Sequence, residues 1–220
     1  MRITTVVNHF WKWFAQHAET YRRLYKKPEK EINYLLDELD MHLRAYCKQL
    51  HSMIGVDHRT GLCTLIITAN SKSRYFEKAD NLVAKAPRLE HWEILSLYPP
   101  SPTDLLLDAY FPGIGIDPAR LWFCPLHNDK PGCKKDIIVY WELYNPDKDY
   151  QFRRALSMII HGLLGERVRA LSIGAVHVSN LSEAHCKEDL MRLEELPVFV
   201  NDHLSYHFEV SAAGKLRPRE

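Results

Sequence analysis

At 220 residues, 46% hydrophobic and 11% aromatic, the chain is long enough to bury a sizeable core in one large domain or two small ones, and a folded globular protein is expected. Twenty-nine basic residues against 28 acidic ones leave a net charge of +1, so no global field draws in nucleic acid or an anionic membrane surface, and neither partner is expected. Lys12 and His17 interrupt the N-terminal aromatic stretch before an apolar core of signal-peptide length forms, and no later run approaches about 18 apolar residues, which predicts a soluble chain retained in the cytoplasm.

Five cysteines at irregular spacing (Cys47, Cys63, Cys124, Cys133 and Cys186) fit free, mostly buried thiols in a reducing compartment.

From Asn8 to Tyr25, residues Phe10, Phe14, Ala18, Tyr21 and Tyr25 recur at helical spacing, with Asn8 as an N-cap and Trp11 and Trp13 widening the aromatic face. Pro28 opens a second helix whose stripe runs Ile32, Leu35, Leu36, Leu39, Leu43, Tyr46, Cys47 and Leu50. These two helices form a layer over residues 8–50.

His51 to Val56 reads as a strand, Asp57 to Gly61 as a turn, and Leu62 to Ala69 as an antiparallel return whose apolar, β-branched composition suits a central buried strand. Ser73 can cap a helix whose apolar positions are Phe76, Ala79, Leu82, Val83 and Ala86 and which Pro87 stops, and His91 to Tyr98 is a third strand. Residues 51–98 are thus a β-β-α-β unit.

Pro99-Pro100-Ser101-Pro102 marks the boundary between halves, and Thr103 to Phe111 fits a short helix or an edge strand equally. Leu121 to Asn128 and Lys135 to Leu143 read as hairpin strands around a turn at Asp129 to Gly132. A helix carrying Phe152, Leu156, Ile159, Ile160 and Leu163 then ends at Gly165 as a left-handed cap, and a strand over Ala170 to Val178 follows. Residues 121–178 repeat the first unit, which suggests internal duplication. A helix over Glu195 to Leu204 and a short Tyr206-Phe208-Val210 strand precede a small, basic tail at 211–220, expected to be flexible.

The sum is a single α+β domain over 1–210: a mixed sheet made from two β-β-α-β units, with N-terminal helices on it and a C-terminal helix closing the other half.

Phe10-Trp11-Lys12-Trp13-Phe14, the Ala86-Pro87 helix end followed by Trp92-Glu93-Ile94, and Leu163-Leu164-Gly165-Glu166 before a strand together resemble a group of uncharacterised bacterial proteins. The resemblance covers most of the chain and implies a bacterial, cytoplasmic α+β protein. It carries no activity with it.

No stretch has a catalytic or ligand-binding signature, since neither G-x-S-x-G nor G-x-G-x-x-G occurs. His161, Glu166 and His177 could converge at one sheet edge as an acid/base group. His203 and His207 have the i, i+4 spacing of metal-binding helices, with His185 upstream, but Leu204 stands where a catalytic glutamate would be needed.

Cys124 and His127 differ by an odd number of positions, so an extended strand points them to opposite faces and weakens a zinc reading with Cys133. The basic clusters Arg22-Arg23 with Lys26-Lys27, Lys134-Lys135 and Arg153-Arg154 are interspersed with acids and read as solvated faces. The aromatic stretch is wider than one buried face needs, which offers Trp11 and Trp13 as anchors for a protein partner or a homodimer.

The expectation is therefore a protein-binding module without catalysis or cofactor; the alternative is a metal-dependent hydrolase using a histidine cluster.

Overall fold

The computed structural model describes residues 3–57, 59–101, 116–126, 134–184, 189–210 and 216–218, with side chains from Thr5 to Asp202 within those ranges. Chain contacts divide it into two compact units, Met1–Pro99 and Pro100–Glu220, and the break falls on the proline run.

In the first unit, helix α1 (Ile3–Arg22) buries Val7, Phe10, Phe14, Ala18 and Tyr21 along one side. Val7 carries the apolar stripe a turn beyond the expected start, so Asn8 lies inside the helix instead of capping it. Helix α2 (Glu29–Tyr46) starts after Pro28, places Glu29 and Glu31 at the positive end of its dipole, and buries Leu35, Leu39 and Leu43. The Tyr21 hydroxyl donates to the Leu35 carbonyl at 3.0 Å, and burial holds that phenol well above its usual range.

Strands β1 (His51–Val56) and β2 (Cys63–Thr68) are antiparallel, with His51 opposite Thr68. Gly61 takes a φ of +71° in the connecting turn. Helix α3 (Phe76–Val83) crosses over to β3 (Trp92–Ser96), which pairs parallel to β2. The order β1-β2-β3 makes β2 central, and Cys63, Leu65 and Ile67 are fully buried on it.

The second unit repeats this connectivity. Strands β4 (Trp122–Pro125) and β5 (Lys135–Trp141) are antiparallel, helix α4 (Asp149–Ser172) follows, and β6 (Ile173–Asn180) pairs parallel to β5. A two-residue strand β7 (Met191–Arg192) extends the sheet to β6-β5-β4-β7, and helix α5 (Leu196–His207) comes next. Leu121, Phe123, Ile137, Val139, Trp141, Phe152, Leu156, Ile159, Ile160, Leu193 and Leu196 form its core.

The fold class is α+β, with both β-β-α-β units and the N- and C-terminal helices in place. Each unit's described strands pair among themselves, so the units form two mixed sheets where one was expected. The helix before β6 breaks at Gly165, which has the expected positive φ (φ 69°, ψ 170°), but a second helical segment then runs on to Ser172, so the strand starts at Ile173 and not at Ala170. Glu166, Arg167 and Ala170 suit a further helical segment, although Val168 and Leu171 lend the stretch the composition of a strand. Phe208–Val210 (β8) pairs antiparallel with Leu216–Pro218 (β9), inside the stretch read as a tail. Thr103 to Phe111 and the Asp129 to Gly132 turn lie outside the described residues.

At the start of the β5–β6 ladder Lys135 faces Ile173 but Ile137 faces Val176, a bulge with one extra residue on β6. The Asp136 carboxylate enters this gap and accepts the Ala175 N–H at 2.6 Å, against the bare α-carbon of Gly174. A methyl group on Gly174 would collide with that carboxylate. Gly174→Ala is expected to cost about 1–3 kcal/mol by overpacking. Adding Asp136→Ala should recover most of the loss, as a double-mutant cycle in urea would read out.

Candidate functional site

Two helical stripes meet along one side of the α1–α2 pair. On α1, His9, Trp13 and His17 recur at i, i+4 and i+8; on α2, Tyr34, Glu38 and His42 do the same. The Trp13 ring stacks on His42 at 3.8 Å between centroids and on His17 at 4.9 Å, so the indole lies between two imidazoles. His9 adds a looser stack on His42 at 6.4 Å. Nδ1 of His17 donates to the Trp13 carbonyl at 2.8 Å, which fixes that ring one turn along α1.

This face is half-exposed. Tyr34 and Met41 stand 66% and 59% exposed on α2, whereas Trp13, His17 and His42 are partly covered by one another. Burial holds the His42 imidazole below its usual range; the Glu38 carboxylate opposes that effect, and His9 and His17 add to it. Its position in the stack thus favours the neutral form of the His42 ring.

Of the two tryptophans expected to anchor a partner, only Trp13 is on this face. Trp11 is 4% exposed, packs edge-on to Phe10 and Phe14, and donates its indole N–H to the Leu82 carbonyl at 2.8 Å. It joins α1 to α3 as a core residue. His9, His17, Tyr34 and His42 were not singled out from the sequence, although their four-residue spacing around Trp13 and Glu38 is visible there.

In the second unit, the structure brings His161 and Glu166 together at the α4 kink. Glu166 is fully buried, and its carboxylate raises the His161 pKa, while burial, the larger effect, and Arg169 lower it; the net direction is down. Arg169 is also buried enough to be held below its usual range, and it donates to the Ile173 carbonyl at 2.8 Å across the helix end. The Ser101 N–H donates to the Gly162 carbonyl at 2.9 Å just before the kink.

His177 does not join them. Val176 and Val178 on β6 pack on the core that holds Ile159 and Ile160 of α4, so the alternation of the strand puts the exposed His177 on the opposite face of the sheet. The expected acid/base group is thus an interior pair with Arg169 and, separately, a surface imidazole.

The metal candidates are placed less completely. His203 and His207 fall on α5, where only the backbone is described; His185, Cys186, His127 and Cys133 lie outside the described residues. Cys124 stands opposite Ile138. Among the described residues no group of three or more His, Cys, Asp and Glu side chains is arranged to hold a metal ion.

The basic cluster at the end of α1 is largely neutralised, because Arg22 and Arg23 both bond Glu19, at 2.8 and 2.7 Å, and Lys27 bonds Glu31. A concavity of about 490 Å³ in the second unit is lined by Trp122, Glu142, Asn180, Leu181, Ser182 and Leu190. Its polar groups are already engaged: Arg120 bonds Glu142 at 2.5 Å, the Asn180 amide donates to the Glu142 carbonyl, and the Ser182 hydroxyl donates to Asn180. Among the described residues no helix is long and apolar enough to cross a membrane.

No protein-family model, no curated protein and no solved structure matches this chain.

Proposed function

We propose that the protein is a non-catalytic, cytoplasmic protein-binding module that docks its partner on the α1–α2 face. The observation that carries this reading is the exposure of Tyr34 and Met41, at 66% and 59%, beside a half-exposed Trp13 stacked between imidazoles. Large aromatic side chains next to polar groups are the composition of interface hot spots, and rings already stacked in place lose little side-chain entropy when a partner covers them. The buried thiols Cys47 and Cys63 support a reducing compartment. The pairing of Arg22, Arg23 and Lys27 with Glu19 and Glu31 favours a protein partner over nucleic acid.

Affinity capture from lysate of the source organism tests the reading. The wild-type chain is expected to retain a specific partner, and Trp13→Ala to weaken it by about 2 kcal/mol or more, roughly 30-fold, with the helical circular dichroism unchanged. Retention of the same partner by Trp13→Ala and Tyr34→Ala alike would remove this face from the function.

A further inference from the structure

Four charged groups on the α1–α2 face are left over from the ion pairs of these helices. Among the described residues Glu19 pairs with Arg22 and Arg23, Lys27 with Glu31, and Asp40 with Arg44 and His51. Lys12, beside Trp13 on α1, and Lys30, Asp37 and Glu38 on α2 take part in none of these pairs. With two charges of each sign, the face matches neither a basic nor an acidic segment. It matches a surface that carries the same mixture, and the order of the charges along α2 identifies that surface.

Tyr34, 66% exposed, stands at the centre of that order. At about 100° and 1.5 Å per residue, Lys30 and Asp37 lie on one flank of Tyr34, about 40° and 60° round the helix, roughly 6 Å before it and 4.5 Å after it. Glu38 falls on the other flank, toward α1, where its charge acts on Tyr21 and His42. A twofold axis crossing α2 at Tyr34 reverses the direction of the helix and keeps the flank. It therefore sets Tyr34 against Tyr34 of a second copy, Lys30 against the Asp37 of that copy, and Asp37 against its Lys30. The same axis lays α1 over α1 and covers Trp13.

We propose that the occupant of the α1–α2 face, taken as the docking site of the reading above on which the inference rests, is a second copy of the chain, packed with α2 antiparallel on α2 about this axis. Helices of 20 and 18 residues lie side by side on it. Their shared face measures about 27 by 20 Å, roughly 550 Å² per copy, which is at the small end of specific interfaces. The dimer is accordingly reversible, with a dissociation constant on the order of micromolar, and its two symmetric, exposed charge pairs make it weaken as salt is raised.

Sedimentation velocity of the full-length chain from about 1 to 200 µM tests this, with monomer expected at the low end and dimer at the high end. Because the axis repeats every change, Lys30→Glu and Asp37→Lys each turn both pairs into like-charge contacts, and each is expected to weaken the dimer about tenfold or more. Mixing the two variants, or combining both substitutions in one chain, places opposite charges at both contacts again and should return the affinity to within about threefold of wild type. Tyr34→Ala is expected to weaken the dimer about tenfold. All three positions are exposed, so the circular dichroism of these variants should match wild type.

A dimer that Lys30→Glu and Asp37→Lys both leave unchanged, or a loss that neither mixing nor combining them restores, overturns the proposal. A chain that stays monomeric throughout while it retains a different captured protein, lost in Trp13→Ala, overturns this inference and keeps the binding reading; a monomeric chain with no captured protein overturns both.

Discussion

Trp11→Ala is expected to destabilise the first unit by about 3–5 kcal/mol, the range for truncating a buried large aromatic side chain. The ring is 4% exposed and edge-packed on Phe10 and Phe14, so its removal leaves a cavity between α1 and its neighbours. It also removes one of the hydrogen bonds on the Leu82 carbonyl, which accepts the indole N–H at 2.8 Å and the Lys85 N–H at 3.1 Å. Against a typical total stability of about 5–15 kcal/mol such a loss is a large fraction, and urea unfolding followed by circular dichroism should show it as a lowered midpoint.

Trp11→Phe separates the two contributions. It keeps most of the packing and loses the donor, and because the Leu82 carbonyl keeps the Lys85 N–H the lost hydrogen bond is expected to cost about 0.5–1.5 kcal/mol. Trp13→Ala, two positions away, is expected to lower the urea midpoint less, because that ring is partly exposed and its stacking partners His17 and His42 also meet solvent, although it packs on Phe10 and Tyr21 as well. If Trp11→Ala proved as mild as Trp13→Ala, the docking of α1 through Leu82 would be wrong.

That contrast shows where the sequence stops being informative. The central strands were legible because Leu65 and Ile67 on β2, and Ile137 and Val139 on β5, sit in apolar, β-branched runs that few environments other than a covered sheet can satisfy. Trp11 and Trp13 could not be separated, since they lie on opposite flanks of the Phe10–Phe14 stripe and only the position of α3 decides which flank is covered. His177 was misgrouped for a similar reason: alternation along β6 is readable, but the covered face follows from where α4 packs. The imidazole stack has a legible spacing on each helix, yet its existence depends on the angle and register at which α1 meets α2.

Gly165→Ala is the other large expected effect, and its sign is diagnostic. In a regular helix, alanine is more favourable than glycine by about 1 kcal/mol, so a straight α4 would be stabilised by the substitution. Gly165 instead has φ 69° and ψ 170°, a backbone conformation that residues with a Cβ almost never adopt, and it is buried. Alanine there is expected to cost about 1–3 kcal/mol, read as a lowered urea midpoint.

The same turn fixes where Glu166 goes. It directs a carboxylate that immediately follows the break into the interior, within electrostatic reach of His161 on the preceding segment. Burial already lowers the His161 pKa, and the Glu166 carboxylate is what opposes that fall. An alanine that forced the two segments into one continuous helix would rotate Glu166 away and remove the opposing charge. The His161 pKa should then drop further, whereas a loss of stability with His161 unmoved would mean that the strain stayed at residue 165. An NMR titration of the His161 ring in Gly165→Ala therefore distinguishes a kink that only accommodates the chain from one that holds the buried pair in place.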